Sequence, residues 1–116
     1  MAKVYVAGKN LKRAQAVMDA LRKDGHIIAY DWVALIEEGS TKEKAIIETQ
    51  AVRDSDVLVY LWEDNQESAR YEAGMAMGLK KTIIVSGKLD SFFFQIPNVH
   101  CVNSDEEIIQ RIAELR

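Results

Sequence analysis

Short apolar runs alternate along the chain with longer stretches whose apolar residues recur every three or four positions, the first pattern suiting strands and the second helices. Lys3 to Ala7 is a mostly apolar run closed by Gly8 and predicts a first strand. From Asn10 to Lys23 the residues Leu11, Ala14, Val17, Met18 and Leu21 keep helical spacing, with Asn10 as N-cap and Gly25 as terminator. His26 to Tyr30 predicts the second strand, followed by a helical turn over 33–38 that breaks at Gly39. Ser40 and Glu43 form a capping-box pair that starts a helix reaching about Asp54, with Ala45, Ile46, Thr49 and Val52 expected to face inward. A third strand is predicted from about Asp56 to Leu61, a helix from about Glu67 to Leu79, and a fourth strand from Thr82 to Val85. Residues 86–91 read as a loop, Phe92 to Phe94 as a packing element or short helical turn, and Val99 to Val102 as a brief fifth strand. Ser104 and Glu107 repeat the capping-box spacing and open a last helix to Leu115.

Strands and helices that alternate with short links imply a three-layer α/β sandwich around a parallel sheet. Five strands joined by right-handed crossovers suggest the flavodoxin-like order 2-1-3-4-5. With 116 residues the expectation is one domain, large enough for a real core. No repeat, low-complexity tract or linker interrupts it.

Composition narrows the function classes. A net charge of −3 gives no reason to expect a nucleic acid polymer as partner. No apolar stretch approaches the roughly 18–20 residues of a membrane span, and the chain runs straight into its first strand without a signal-peptide pattern, so the expected compartment is the cytosol. The single cysteine, Cys101, excludes an internal disulfide and a cysteine-based zinc cluster, and no metal-ligand spacing occurs.

One departure from pattern matters more. In the helix around residue 72, Ala69, Glu72, Ala73 and Ala76 share a face of small residues suited to close packing on a sheet. Glu72 stands where a plain surface helix would pack another apolar residue. Open α/β sheets bind ligands beyond the carboxyl ends of their strands. That edge collects Tyr5 to Lys9, Asp31 with Trp32, Trp62 to Asn65, and Ser86 with Gly87, and Glu72 approaches it from its helix. Glu48 lies on or beside the inward face of the preceding helix. Two carboxylates at one aromatic-rimmed cleft suit chemistry at a sugar carbon, one attacking the oxocarbenium-like centre while an acid or water serves the leaving group.

From Asp56 to Lys81, an aspartate opening strand three, an apolar run, Ser68-Ala69, Glu72-Ala73-Gly74, Ala76, Gly78 and Lys81 make a recognisable series. Together with Lys3 to Gly8 and the Gly25-His26 and Asp31-Trp32 pairs, it resembles the nucleoside 2-deoxyribosyltransferase family and its nucleotide N-hydrolase relatives, over residues 3 to about 87. The resemblance implies that Glu72 is the nucleophile forming a glycosyl-enzyme ester and that Tyr5 lies near it and the sugar. It also implies that Glu48, where the family commonly has aspartate, contacts sugar or base. Gly8, Lys9, Asp31, Trp32, Trp62 and Ser68 are then candidates for substrate binding. The partner implied is a small nucleoside or its 5′-monophosphate, no cofactor is needed, and a homodimer or higher homo-oligomer is expected. Lys9 with the open helix start offers a phosphate contact in place of the family's Gly-, Ser- and Arg-rich loop.

Other readings stand beside this one. Glu72 also reads as a structural carboxylate paired with Arg70, Lys80 or Lys81, and Lys9, Lys12 and Arg13 read as solvated surface charges. The fold also suits a nucleotide-binding or sensing module without turnover. An electron carrier of flavodoxin type is disfavoured because the loop after strand one lacks a Ser/Thr-rich phosphate cradle.

Overall fold

The computed structural model describes residues 1–116. Its five strands are β1 (Lys3–Ala7), β2 (Ile27–Ile28), β3 (Val57–Leu61), β4 (Thr82–Ser86) and β5 (Val99–Val102). They form one sheet of order β2-β1-β3-β4-β5 in which every neighbouring pair is parallel. The helices are α1 (Leu11–Lys23), α2 (Thr41–Asp54), α3 (Ser68–Gly78) and α4 (Ile108–Leu115). This is the expected flavodoxin-like α/β architecture. No helix is long and apolar enough to cross a membrane.

The pleat divides the core into two. Val4 and Val6 of β1, with Val57, Val59 and Leu61 of β3, pack on Ala14, Val17, Met18 and Leu21 of α1 and on Ile108 and Ile112 of α4. Tyr5 and Ala7, with Leu58, Tyr60, Ile83 and Val85, pack on Ala51 and Val52 of α2 and on Ala69, Ala73 and Ala76 of α3. Each fully buried branched side chain contributes about 1.5–3 kcal/mol, so the sheet's alternation anchors helices on both faces.

Both of the first two helix starts form as their residue types dictate. The Asn10 side chain accepts from the Arg13 N–H at 3.0 Å, and Ser40 Oγ accepts from the Glu43 N–H at 3.1 Å. The Ser104–Glu107 pair does not start its helix directly. Residues Asp105–Glu107 make a 3-10 turn and α4 begins only at Ile108: the Ser104 hydroxyl donates to the Glu107 carboxylate at 3.3 Å and caps no backbone N–H. The second strand is shorter than its apolar run, although Ala29 N–H still donates to Val4 C=O at 2.8 Å. Residues 33–38 form turns rather than a regular helix.

The inward face of α2 also differs from expectation. Ala45, Ile46 and Thr49 are exposed, and the helix turns Glu48, Ala51 and Val52 toward the sheet. The apolar count favoured the Ala45–Ile46 side, but only the Glu48 side meets a buried polar partner. That rotation brings a carboxylate over β1.

Candidate active site

Glu72 occupies the fifth position of α3 and is only 7 % exposed. Small residues at 69, 73 and 76 let this helix lie against β1, β3 and β4, carrying the carboxylate down with them. Beneath it lies Tyr5, fully buried at the centre of β1 and not at the strand's rim. The Tyr5 hydroxyl donates to Glu72 Oε2 at 2.5 Å and stands 3.3 Å from Glu48 Oε1 on α2. Three elements distant in sequence thus place two carboxylates around one phenol.

The cluster holds no cation. Arg70, Lys80 and Lys81 do not pair with Glu72: Lys81 Nζ donates to the Arg53 carbonyl at 2.6 Å, and Arg70 lies on the opposite flank of α3 beside Tyr60. Burial therefore dominates, pushing the Glu72 pKa up to about 9, with the Glu48 carboxylate adding to the rise and the Tyr5 hydrogen bond opposing it. The Tyr5 phenol is pushed far above its ordinary value by burial and by both carboxylates. At neutral pH Glu72 holds a proton that an exposed glutamate would have lost.

One turn before Glu72 on the same flank is Ser68. It helps line a cavity of about 330 Å³ with Gly8, Lys9, Asn65, Gln66, Glu67 and Ala69. This cavity sits at the carboxyl ends of β1 and β3, over the start of α3, whose first N–H groups receive no side-chain cap. Lys9 Nζ bridges its mouth to the Asn65 carbonyl at 3.1 Å. Gln66, which nothing in the sequence marks out, is buried and locks the loop by donating to Leu61 C=O at 2.8 Å and accepting from the Glu63 N–H at 3.0 Å.

The other candidates separate. Trp32 donates its indole N–H to Val6 C=O at 2.7 Å and packs at the β1–β2 end of the edge. Asp31 pairs with Arg22 at 2.5 Å and accepts from the Ala34 N–H at 2.9 Å, which ties both its oxygens to the fold. Trp62 lies across α3 from Glu72, in a cleft with Tyr60, Arg70, Phe93 and Phe94. Arg13 is not a solvated charge. Its guanidinium grips Asp105 at 2.8 Å through two nitrogens and donates to the Trp62 and Ser86 carbonyls at 2.8 and 3.2 Å. Its position on the α1 sequence gives no hint of this, since all three partners arrive from other elements.

No protein-family model matches this chain, and no curated protein matches it in sequence. Among solved structures, it is similar to the CMP N-glycosidase BcmB of Clostridium botulinum, with a TM-score of 0.69 over 97 % of this chain and 98 % of that one. The two are 15 % identical in sequence, a likeness that establishes the shared fold.

Proposed function

We propose that this protein cleaves the N-glycosidic bond of a nucleoside or its 5′-monophosphate, with Glu72 as nucleophile. The observation that carries the reading is the buried Glu72–Tyr5–Glu48 cluster beside the cavity at the start of α3. The fold shared with a CMP N-glycosidase and the resemblance of the Glu72 segment to the deoxyribosyltransferases support it. The cavity formed by Gly8, Lys9 and Ser68 takes the sugar's 5′ end, where Lys9 and the uncapped N–H groups of α3 favour a phosphate.

The chemistry follows from the shared proton. In the free protein Glu72 is protonated, and positive charge developing at C1′ favours its ionised form. The proton passes to Glu48 and on to the departing base nitrogen, while Glu72 Oε bonds to C1′ as the C1′–N bond breaks. Oxygens at 2.5 and 3.3 Å from one phenol oxygen put the two carboxylates no more than about 6 Å apart, nearer the spacing of retaining than of inverting glycosidases. Direct attack by the carboxylate is thus favoured over activation of a water. Water then attacks C1′ from the vacated side, gives its proton to Glu48 and releases Glu72, so configuration is retained. A second base in place of water makes the protein a transferase. Tyr5 holds the pair in register through both stages.

A second reading is nucleotide binding without turnover. It draws on the depth of the cluster, since Tyr5, Glu48 and Glu72 line neither the cavity at the start of α3 nor the cleft around Trp62. The deciding experiment is chromatographic detection of free base from a panel of nucleosides and 5′-monophosphates, CMP included, with and without a second base. Release that disappears in Glu72→Ala supports cleavage. Nucleotide binding without release from any compound supports the binding module. We also propose self-association through the outer surface of α2 and α3, where Ile46, Ile47, Tyr71 and Leu79 are exposed. Sedimentation of the purified protein tests it.

A further inference from the structure

The flank of α3 turned away from Glu72 faces a second cleft with features that the proposed chemistry does not use. Tyr60, Trp62, Arg70, Gly74, Phe93 and Phe94 line a space of about 220 Å³ between α3 and the 3-10 turn Phe92–Gln95. Tyr60 is 2 % exposed, and its hydroxyl makes no hydrogen bond of normal length and angle in the protein, only a looser approach to the Arg70 guanidinium. A buried hydroxyl left unpaired is unfavourable, and structures rarely retain one unless something else satisfies it. Arg70 stands next to that phenol and forms no salt bridge. A second cation, Lys88, holds its ammonium 5.0 Å from the centre of the Trp62 ring.

The walls are flat and aromatic. Phe94 meets the Tyr60 ring edge-on at 6.4 Å and 88°, Phe93 packs edge-to-face with Phe92 at 5.1 Å, and Trp62 and Phe93 both line the cleft. Gly74 supplies the remaining space: a Cβ built there meets nothing within 4 Å, so the helix leaves a gap where any other residue would project. An apolar cavity of roughly 150 Å³ is known to admit benzene, so this cleft has room for one six-membered ring with a small substituent.

We propose that this cleft is a binding site for a monocyclic aromatic carboxylate or a similarly flat aromatic anion. The ring lies between Trp62 and the Phe93–Phe94 pair, and the anionic oxygen accepts from the Tyr60 hydroxyl and the Arg70 guanidinium. The site is separate from Glu72 and does not depend on the glycosidase reading.

Benzoate is the probe, with benzyl alcohol as its uncharged counterpart, titrated into the isotopically labelled full chain by NMR. Benzoate should move the Trp62 and Phe93 signals, sparing Tyr5 and Trp32, and bind more tightly than benzyl alcohol. Tyr60→Phe should weaken benzoate about tenfold by removing a hydrogen bond to a charged group. Arg70→Gln should reduce benzoate to the level of benzyl alcohol. Gly74→Leu should abolish binding by filling the space, and Gly74→Ala, which leaves most of it open and favours the helix, should retain it. Circular dichroism of each variant confirms that it folds. Benzoate binding that survives Gly74→Leu, or equal binding of the two probes, overturns the proposal. So does a failure of benzoate to bind together with a dimer that dissociates in Gly74→Leu, which assigns the cleft to a second copy of the chain.

Discussion

Two polar clusters flank the sheet, one half-buried and one buried, and they treat a carboxylate withdrawn from water in opposite ways. On the α1–α4 side, Asp105 accepts from Arg13 through both oxygens and from Ser86 Oγ at 2.5 Å. Those bonds hold its pKa below the ordinary carboxylate value, against its burial. On the α2–α3 side, Glu72 meets a phenol and a second carboxylate and no cation, and its pKa is pushed up to about 9. The first arrangement is matched in charge and in hydrogen bonds, as a structural clasp should be. The second keeps an unmatched proton at neutral pH, a feature that clusters at functional sites. The difference in charge compensation sets the two carboxylates apart, and burial adds to it, since the Asp105 side chain is 27 % exposed and Glu72 only 7 %.

The sharpest way to break the contrast is to delete one carboxylate from each side. Glu72→Ala should lower base release about 10³-fold or more, read by chromatography, while the fold persists. Because Glu72 carries a burial penalty with no cation to offset it, the same change should leave the denaturation midpoint near that of the parent. Asp105→Ala should do the reverse on stability, with a loss of about 2–3 kcal/mol in urea unfolding, since Arg13 is left half-buried without its partner. Equal stability losses in the two variants would erase the distinction.

The pH dependence of stability separates the clusters by sign. Asp105 has a lowered folded pKa, so its contribution is present above the unfolded carboxylate value and fades as pH falls through the folded one. Glu72 has a raised folded pKa, from 4.5 to about 9. Between those values the folded protein keeps a proton that the unfolded chain has released, so stability declines as pH rises across that window. Thermal unfolding of the parent should therefore weaken from about pH 5 toward pH 9, and Glu72→Gln should flatten that limb while leaving the acid limb in place. An unchanged alkaline limb in Glu72→Gln would contradict the buried proton.

The smallest expected effect belongs to Tyr5→Phe. Its hydrogen bond favours the ionised form of Glu72, so losing the hydroxyl should shift the alkaline limb to still higher pH and cost about 1 kcal/mol of stability. The pH profile of base release should move in the same direction.

Much of the architecture was legible in the order of residues. Apolar runs of four to six residues, separated by helices with Asn10 or Ser40 at their starts, led to five parallel strands in the order observed. The small face of the Glu72 helix was also readable, because alanine at 69, 73 and 76 has one physical use beside a sheet. The rotation of α2 was not readable. Its apolar residues pointed to the Ala45–Ile46 side, whereas in the fold Ile46 faces out and Glu48 turns in to meet Tyr5, forty-three residues away.

The residues expected together at the sheet edge part company for a similar cause. Asp31, Trp32 and Trp62 do reach the ends of their strands, but parallel topology specifies an edge and not a pocket. Which side chains converge depends on the flank of α3 they meet and on competing partners such as Arg22 and the Val6 carbonyl. Local periodicity and capping are short-range properties, and they fixed strands, helices and the identity of Glu72 as an outlier. Charge compensation is a long-range property. Only the folded chain decided that Asp105 would find an arginine and that Glu72 would find a tyrosine and another glutamate.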